Sequence, residues 1–375
     1  MKRCNVKRAC LTVLVLSVPA SAAMAAECFV KDRDGAIPRP IVAVENVCAW
    51  PNLTVLGDGS IVATIFNQPS HAGLPGDVEC WATEDGGKTW TKRGTAAPHE
   101  GNTNRMNVAA GRAGNGDLVV IASGWSEKYP AGYSGPRGKP QVIEPWVCRS
   151  ADGGRTWSID KEGFPGKSPE GHPVIPFGDI LPGEDGQLRV AIYTVPADRN
   201  DRVYIYSSAN DGRTWGEPVA LDTARNRNET AILHLGDGRW LAAARTIGPD
   251  PSGRSMFLDL YGSEDDAGTW HQRMLLTESS QHPAHLVRLK DGRLLLAYGN
   301  RTADRGVDVR FSGDEGKSWM EPFRVTDWQG DGGYPSSAQL PDGRVLTAYY
   351  AAATEGHKGY HMGVVVWDPE KTTGE

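Results

Sequence analysis

The side chains able to do chemistry are concentrated in two sets of short segments. One set is Ala49-Trp50-Pro51-Asn52, Asn104-Arg105-Met106-Asn107, Gly171-His172-Pro173, Arg227-Asn228-Glu229, Gln281-His282-Pro283 and Gly333-Tyr334-Pro335. The other is Asn67-Gln68, Gly124-Trp125, Val195-Pro196, Arg245, Asn300-Arg301 and Tyr350. Each member of the first set precedes two apolar runs joined by a tight turn, and each member of the second follows them. Guanidinium, imidazole, carboxylate, phenol and indole groups at such density suit a pocket for a polar ligand, whereas a structural plug would be apolar. The chemistry on offer is definite. A phenol of pKa about 10 is a poor nucleophile until a carboxylate takes its proton. Planar guanidinium forks grip a carboxylate bidentately. An imidazole such as His71, just beyond Gln68, gives or takes a proton near neutrality. Each group also has a plainer use: an Arg as a bridge between sheets, Glu229 as partner of Arg227, His71 as an exposed loop residue.

The elements that position these segments repeat. An eight-residue pattern, S-x-D-x-G-x-[ST]-W, occurs at 83–90, 150–157, 208–215, 263–270 and 312–319, with Asn210 at the Asp position of the third copy and Ala267 at the Gly position of the fourth. It fits a hairpin turn: the Asp carboxylate accepts backbone N–H bonds, Gly permits positive φ, and Trp packs between units. Interleaved with it are hairpin signals at Asp58-Gly59, Asn115-Gly116, Asp185-Gly186, Asp237-Gly238, Asp291-Gly292 and Asp342-Gly343, each flanked by apolar runs. Spacings of 49 to 70 residues leave room for four short strands per unit. The sixth unit has no box and ends in the strand-like Met362–Trp367. Pro40–Val44 is free to complete it from the other end of the chain and so remove two open edges. Residues 26–375 are therefore expected to form one all-β domain, a six-bladed propeller of four-stranded antiparallel blades, whose central mouth collects the chemical segments.

Composition agrees with a globular β protein. Of 375 residues, 45 are Gly and 25 Pro, and 40 Lys and Arg face 46 Asp and Glu, for a net charge of −6. No basic field exists to hold nucleic acid or an anionic membrane. Lys2, Arg3, Lys7 and Arg8 precede an apolar run from Leu11 to Val18 and a small-residue stretch ending at Ala25. That is the pattern of a cleaved signal peptide over 1–25, too short to span a bilayer, and it implies a secreted or periplasmic protein. Beyond it lie Cys28, Cys48, Cys80 and Cys148. Export permits disulfides, and Cys28 with Cys48 makes the simplest clip, while Cys80 and Cys148 sit in strand-like stretches and read as small buried apolar residues. Metal-ligand spacing is absent, and no cofactor is implied.

The five boxes resemble the Asp-box repeats of the sialidase (neuraminidase) superfamily, over nearly the whole of residues 26–375. The resemblance implies that Glu229, followed one hairpin later by the carboxylate-binding Arg245, is the base for a nucleophilic Tyr334, and that Arg301 partners Arg245. Other family positions differ. Ala49-Trp50-Pro51 stands where the family has its first Arg, Gln68 replaces a further Arg, and His71 falls near the place of the acid/base Asp. Asp77 is the nearest carboxylate. The resulting expectation is a hydrolase that removes a terminal acidic sugar. In it Tyr334, Glu229 and His71 or Asp77 are catalytic, and Arg245, Arg301, Arg105, Trp50, Gln68, His172 and His282 contact substrate. A lyase acting on uronate glycans and a non-catalytic sugar-binding propeller are the competing readings.

Overall fold

The structure, a computed structural model, describes residues 29–371 apart from 72, 127–140, 199, 223–224 and 251; the expected signal peptide and Cys28 lie outside them. The described residues form twenty-four strands. Strand β1 (Ile41–Glu45) is followed by β2–β5 (Asn52–Val55, Ile61–Phe66, Val78–Thr83, Thr91–Ala97), β6–β9 (Asn107–Arg112, Leu118–Ser126, Gln141–Ser150, Ser158–Asp160) and β10–β13 (Val174–Pro182, Leu188–Thr194, Val203–Ser208, Gly216–Asp222). Next come β14–β17 (Arg227–Gly236, Arg239–Thr246, Phe257–Ser263, His271–Leu275), β18–β21 (Gln281–Arg288, Leu294–Asn300, Gly306–Ser312, Phe323–Asp327) and β22–β24 (Gln329–Gln339, Val345–Thr354, His357–Trp367). The fold is all-β and propeller-like, and no helix among the described residues is long and apolar enough to cross a membrane.

The turns form as their sequences require. Gly59, Gly116, Gly186, Gly238, Gly292 and Gly343 all take positive φ, and each joins the first strand of a unit to its second. In the second box, Asp152 Oδ1 accepts from the backbone of Arg155 (3.0 Å) and Thr156 (2.9 Å) and from Ser150 Oγ (2.7 Å), while Trp157 Nε1 donates to Gly154 O (3.0 Å). These bonds, led by the one from the Thr156 hydroxyl, hold the Asp152 carboxyl well below the usual range. In the third box Asn210 keeps the backbone bond to Thr214 (2.9 Å), but its Nδ2 donates to the Thr214 hydroxyl (2.8 Å) where an Asp would accept. Box glycines also set the spacing between units. A Cβ on Gly154 would lie 2.3 Å from Cys80 Sγ, and one on Gly87 would lie 2.4 Å from Leu346 Cδ1.

Hydrogen bonding divides the strands into five sheets rather than the six expected. Four have four strands each, and the fifth runs β13-β12-β11-β10-β6-β7-β8-β9. Its two halves join where β6 and β10 pair in parallel, with Ile180 opposite Gly111. The reason is local. An added Cβ on Gly111 would sit 2.0 Å from Ile180 O, so the bare backbone lets the two strands approach to pairing distance. The first strands β2, β6, β10, β14, β18 and β22 each touch the next, and β22 touches β2, which brings their starts together. β1 pairs antiparallel with β24, Ile41 opposite Val364, as the N-terminal segment was expected to do. The hydrophobic cores lie between neighbouring units. One of them packs Ile61 and Ala63 of β3 against Leu346 and Val364 of β23 and β24.

Candidate functional site

The site grows from the starts of the first strands. In the β14–β15 pair Thr230 stands opposite Ala244, which brings Glu229 alongside Arg245, and Arg245 Nη1 donates to Glu229 Oε2. The other oxygen, Glu229 Oε1, accepts from Tyr334 Oη. Tyr334 is delivered from β22 by an irregularity: pairing with β23 slips between Gly333 and Ser336, and Tyr334 itself holds φ at 51°. A positive φ on an aromatic residue stores strain that the surrounding packing must hold. Trp50, also at positive φ, packs 5.5 Å from the Tyr334 ring and 4.9 Å from that of His71.

Electrostatics keep the Tyr334 proton in place at rest. Burial pushes its pKa well above the ordinary range, the Glu229 charge pushes it further, and Arg245 and Arg301 pull the other way. Burial works against the charge on Arg245, but Glu229 and Tyr334 outweigh it, so that guanidinium is held protonated. Arg301 follows β19 and lies 5.2 Å from the Tyr334 ring centre. Among the described residues it has no ion-pair partner; its Nη2 donates to Tyr350 Oη at 3.5 Å. A second group adjoins the first. His71 Nδ1 is 2.8 Å from Asp331 Oδ2, which also accepts from Tyr350 (3.0 Å) and Tyr360 (3.3 Å). A cavity of about 240 Å³ opens beside both groups, and Trp50, His71, Trp125, Tyr193, Glu229 and Tyr334 are among its lining residues.

The sequence-selected residues thus separate. Tyr334, Glu229, Arg245, Arg301, Trp50 and His71 come together. Glu229 pairs with Arg245 and not with Arg227, which is fully buried between Asp222 (3.0 Å) and Asp259 (3.3 Å). Of the two Arg expected to hold a carboxylate together, Arg245 is engaged by Glu229, with Nη2 on Met256 Sδ at 3.4 Å, whereas Arg301 has no ion-pair partner among the described residues. Asp77 is not in the cavity wall, because its carboxylate caps the His99 backbone (2.8 Å) and imidazole (2.6 Å). Arg105 is structural: its guanidinium stacks 3.4 Å over the Trp146 ring and donates to Glu144 O (2.7 Å), and burial draws its pKa down to about 10. Gln68 bonds to Asn67 (3.2 Å), and His172 lines a separate depression with Lys167 and Met256. His282 is buried behind the site, its pKa drawn down to about 2 by burial and then by Arg245 and Arg301. Cys48, Cys80 and Cys148 are free buried thiols among the described residues; Cys28, the other half of the expected clip, lies outside them. Asp331 escaped the sequence reading because Gln329-Gly-Asp-Gly-Gly looks like turn material, although it is part of β22.

Comparison with known proteins bears on the family and the fold. The family model described as a BNR repeat-like domain matches residues 59–346. No curated protein matches. Among solved structures, a protein of unknown function from Dyadobacter fermentans is 22% identical with a TM-score of 0.72, covering 88% of this chain and 97% of its own. A Hadza microbial sialidase is 19% identical (TM-score 0.64; 87% and 66%), and the NanB sialidase of Streptococcus pneumoniae is 12% identical (TM-score 0.66; 90% and 72%). The chain therefore spans about two thirds of the Hadza enzyme's length.

Proposed function

Because the chain belongs to the BNR repeat-like domain family, a sialidase-like β-propeller group, we propose that it is an exported exo-acting glycoside hydrolase that removes a terminal acidic sugar from glycans. The observation that carries this reading is the bond from Tyr334 to Glu229 at the cavity wall, with Arg245 fixing the other carboxylate oxygen. Counting the eight-stranded sheet as two blades makes the scaffold six-bladed, with the Tyr334 and Glu229 blades brought together at the mouth.

Tyr334 Oη attacks the anomeric carbon as Glu229 takes its proton. The bond from that carbon to the leaving oxygen breaks, and His71, oriented by Asp331, gives the leaving oxygen a proton. Water then attacks the glycosyl-tyrosine, returning a proton to His71, while the departing phenolate recovers its own from Glu229. Two displacements at one carbon retain its configuration. Arg301, which has no carboxylate of its own, is the contact for the acid group of the sugar.

One observation favours a second reading. His71, Asp331 and Tyr350 stand beside Arg301, a set able to move a proton next to a neutralised uronate, as a lyase requires. A screen of sialosides and uronate-capped glycans separates the readings. A hydrolase releases a reducing sugar, a lyase an unsaturated product that absorbs in the ultraviolet, and a binding protein neither. A fluorosugar that traps the intermediate should label Tyr334; labelling of a carboxylate would sink the mechanism.

A further inference from the structure

Cys48, His71 and Asp331 come from three separate segments, yet a sulfur, a nitrogen and an oxygen of theirs lie within 4.8 Å of one another. Their backbones are tied. Cys48 N donates to Gln68 O (2.6 Å) and Phe66 N to Ala49 O (2.9 Å), so the strip carrying Cys48 is laced to the one leading into His71. Asp331 is oriented by the hydroxyls of Tyr350 and Tyr360, and the Trp50 ring abuts His71. Outer partners of this kind are what hold ligating side chains in place around an ion.

We infer that these three side chains form a site for a soft divalent cation of the zinc type, with the remaining coordination position open to the cavity that His71 lines. Thiolate, imidazole and carboxylate are the ligand types zinc takes, and three protein ligands with one free position is the arrangement of an accessible site. Ligand atoms of one tetrahedral zinc stand about 3.2–3.8 Å apart, so His71 and Asp331 need only part slightly and Cys48 close in. The thiol gives its proton to solvent as the metal–sulfur bond forms, and the two negative ligands neutralise the ion. Sequence spacing could not reveal the set, because 260 positions separate His71 from Asp331. Occupancy replaces the hydrogen bond between His71 and Asp331 by two bonds to the ion. Turnover should then fall, a consequence that rests on the proposed role of His71, whereas binding does not.

The test uses the full purified protein, stripped with a chelator and titrated with cobalt(II). Expected are one equivalent bound, the d–d absorption of a tetrahedral centre and a thiolate-to-cobalt band in the near ultraviolet, all displaced by zinc. Cys48→Ser should remove the ultraviolet band, and Asp331→Asn should weaken zinc at least about tenfold in competition with a chromogenic chelator. Failure to bind cobalt at 1 equivalent, at about 100 μM of each, or a band unchanged in Cys48→Ser, overturns the site; thermal melts of both variants establish that they are folded. Binding without any loss of turnover would leave the site standing and remove His71 from catalysis.

Discussion

Replacing Glu229 by Gln changes a single atom and should be felt in two independent measurements. The side chain keeps its shape, but Arg245 loses the carboxylate that its Nη1 holds and Tyr334 loses a charged acceptor. Removing one partner of a buried ion pair costs about 3–5 kcal/mol; a side chain of Glu229 that is 9% exposed and one of Arg245 that is 15% exposed place this pair near the lower end. Denaturant unfolding should therefore show a loss of about 3 kcal/mol. Catalysis should fall separately. A positioned base contributes about 10²–10⁴ in rate, or about 3–5 kcal/mol of activation free energy. Because the proton moves only as the bond forms, kcat and kcat/KM should drop together. Tyr334→Phe removes one hydroxyl and should abolish retaining hydrolysis with the fold intact. The double variant should be hardly slower than Tyr334→Phe alone, since the two residues act as a unit. Near-native turnover by Tyr334→Phe, or a Glu229→Gln defect confined to KM, would refute the reasoning.

Three other outcomes are expected. Asp152→Ala removes turn bonds remote from the cavity and should lower stability by about 1–2 kcal/mol with KM unchanged; a folded variant with a large KM shift would place the box at the site. Arg301→Lys keeps the charge but loses the planar fork, so kcat/KM for an acidic substrate should fall by about 2–5 kcal/mol in transition-state binding, and the native protein should prefer the acid to its methyl ester; equal turnover of the two would remove the carboxylate contact. His282, held neutral far below its ordinary 6.5, contributes stability that is full above about pH 6.5 and lost as pH falls toward 2, because the unfolded chain takes up a proton that the folded one refuses. His282→Asn should flatten that slope in melts between about pH 6.5 and 4; an unaltered acid limb would show that His282 is not its source.

Repeats made the scaffold legible. The boxes and the hairpin glycines state their own backbone geometry, since a carboxylate two residues before a Gly at positive φ has few other uses. The union of β6 and β10 was not legible, because it turns on how closely Gly111 meets Ile180 in a neighbouring unit. At the site, Glu229 and Tyr334 could be chosen from their places before hairpins, which the fold converts into convergence. Arg105 had an equally good place, and Asp77 was the nearest carboxylate to His71, yet both went elsewhere: an indole face under one and an imidazole beside the other claimed them. Side-chain partners of that kind are set by packing across units, and a one-dimensional pattern does not carry them. The slip in β22 that turns Tyr334 toward Glu229 and leaves Asp331 facing His71 is hidden for the same reason.

The pairing of β1 with β24 has a temporal meaning. During synthesis the N-terminal strand, and Gly87 with its niche against Leu346, have no partners until the last three strands exist. The ring thus has a seam, and the candidate site straddles it: Trp50 and His71 belong to one side, while Asp331, Tyr334 and Tyr350 belong to the other. Shutting the seam is the event that creates the pocket. A chain halted before β22 would carry every preceding blade, yet would hold only half of the neighbourhood and expose raw sheet edges where the other half should dock. Completion of the final sheet is therefore a checkpoint on competence, and the assembled site cannot exist in advance of the finished fold.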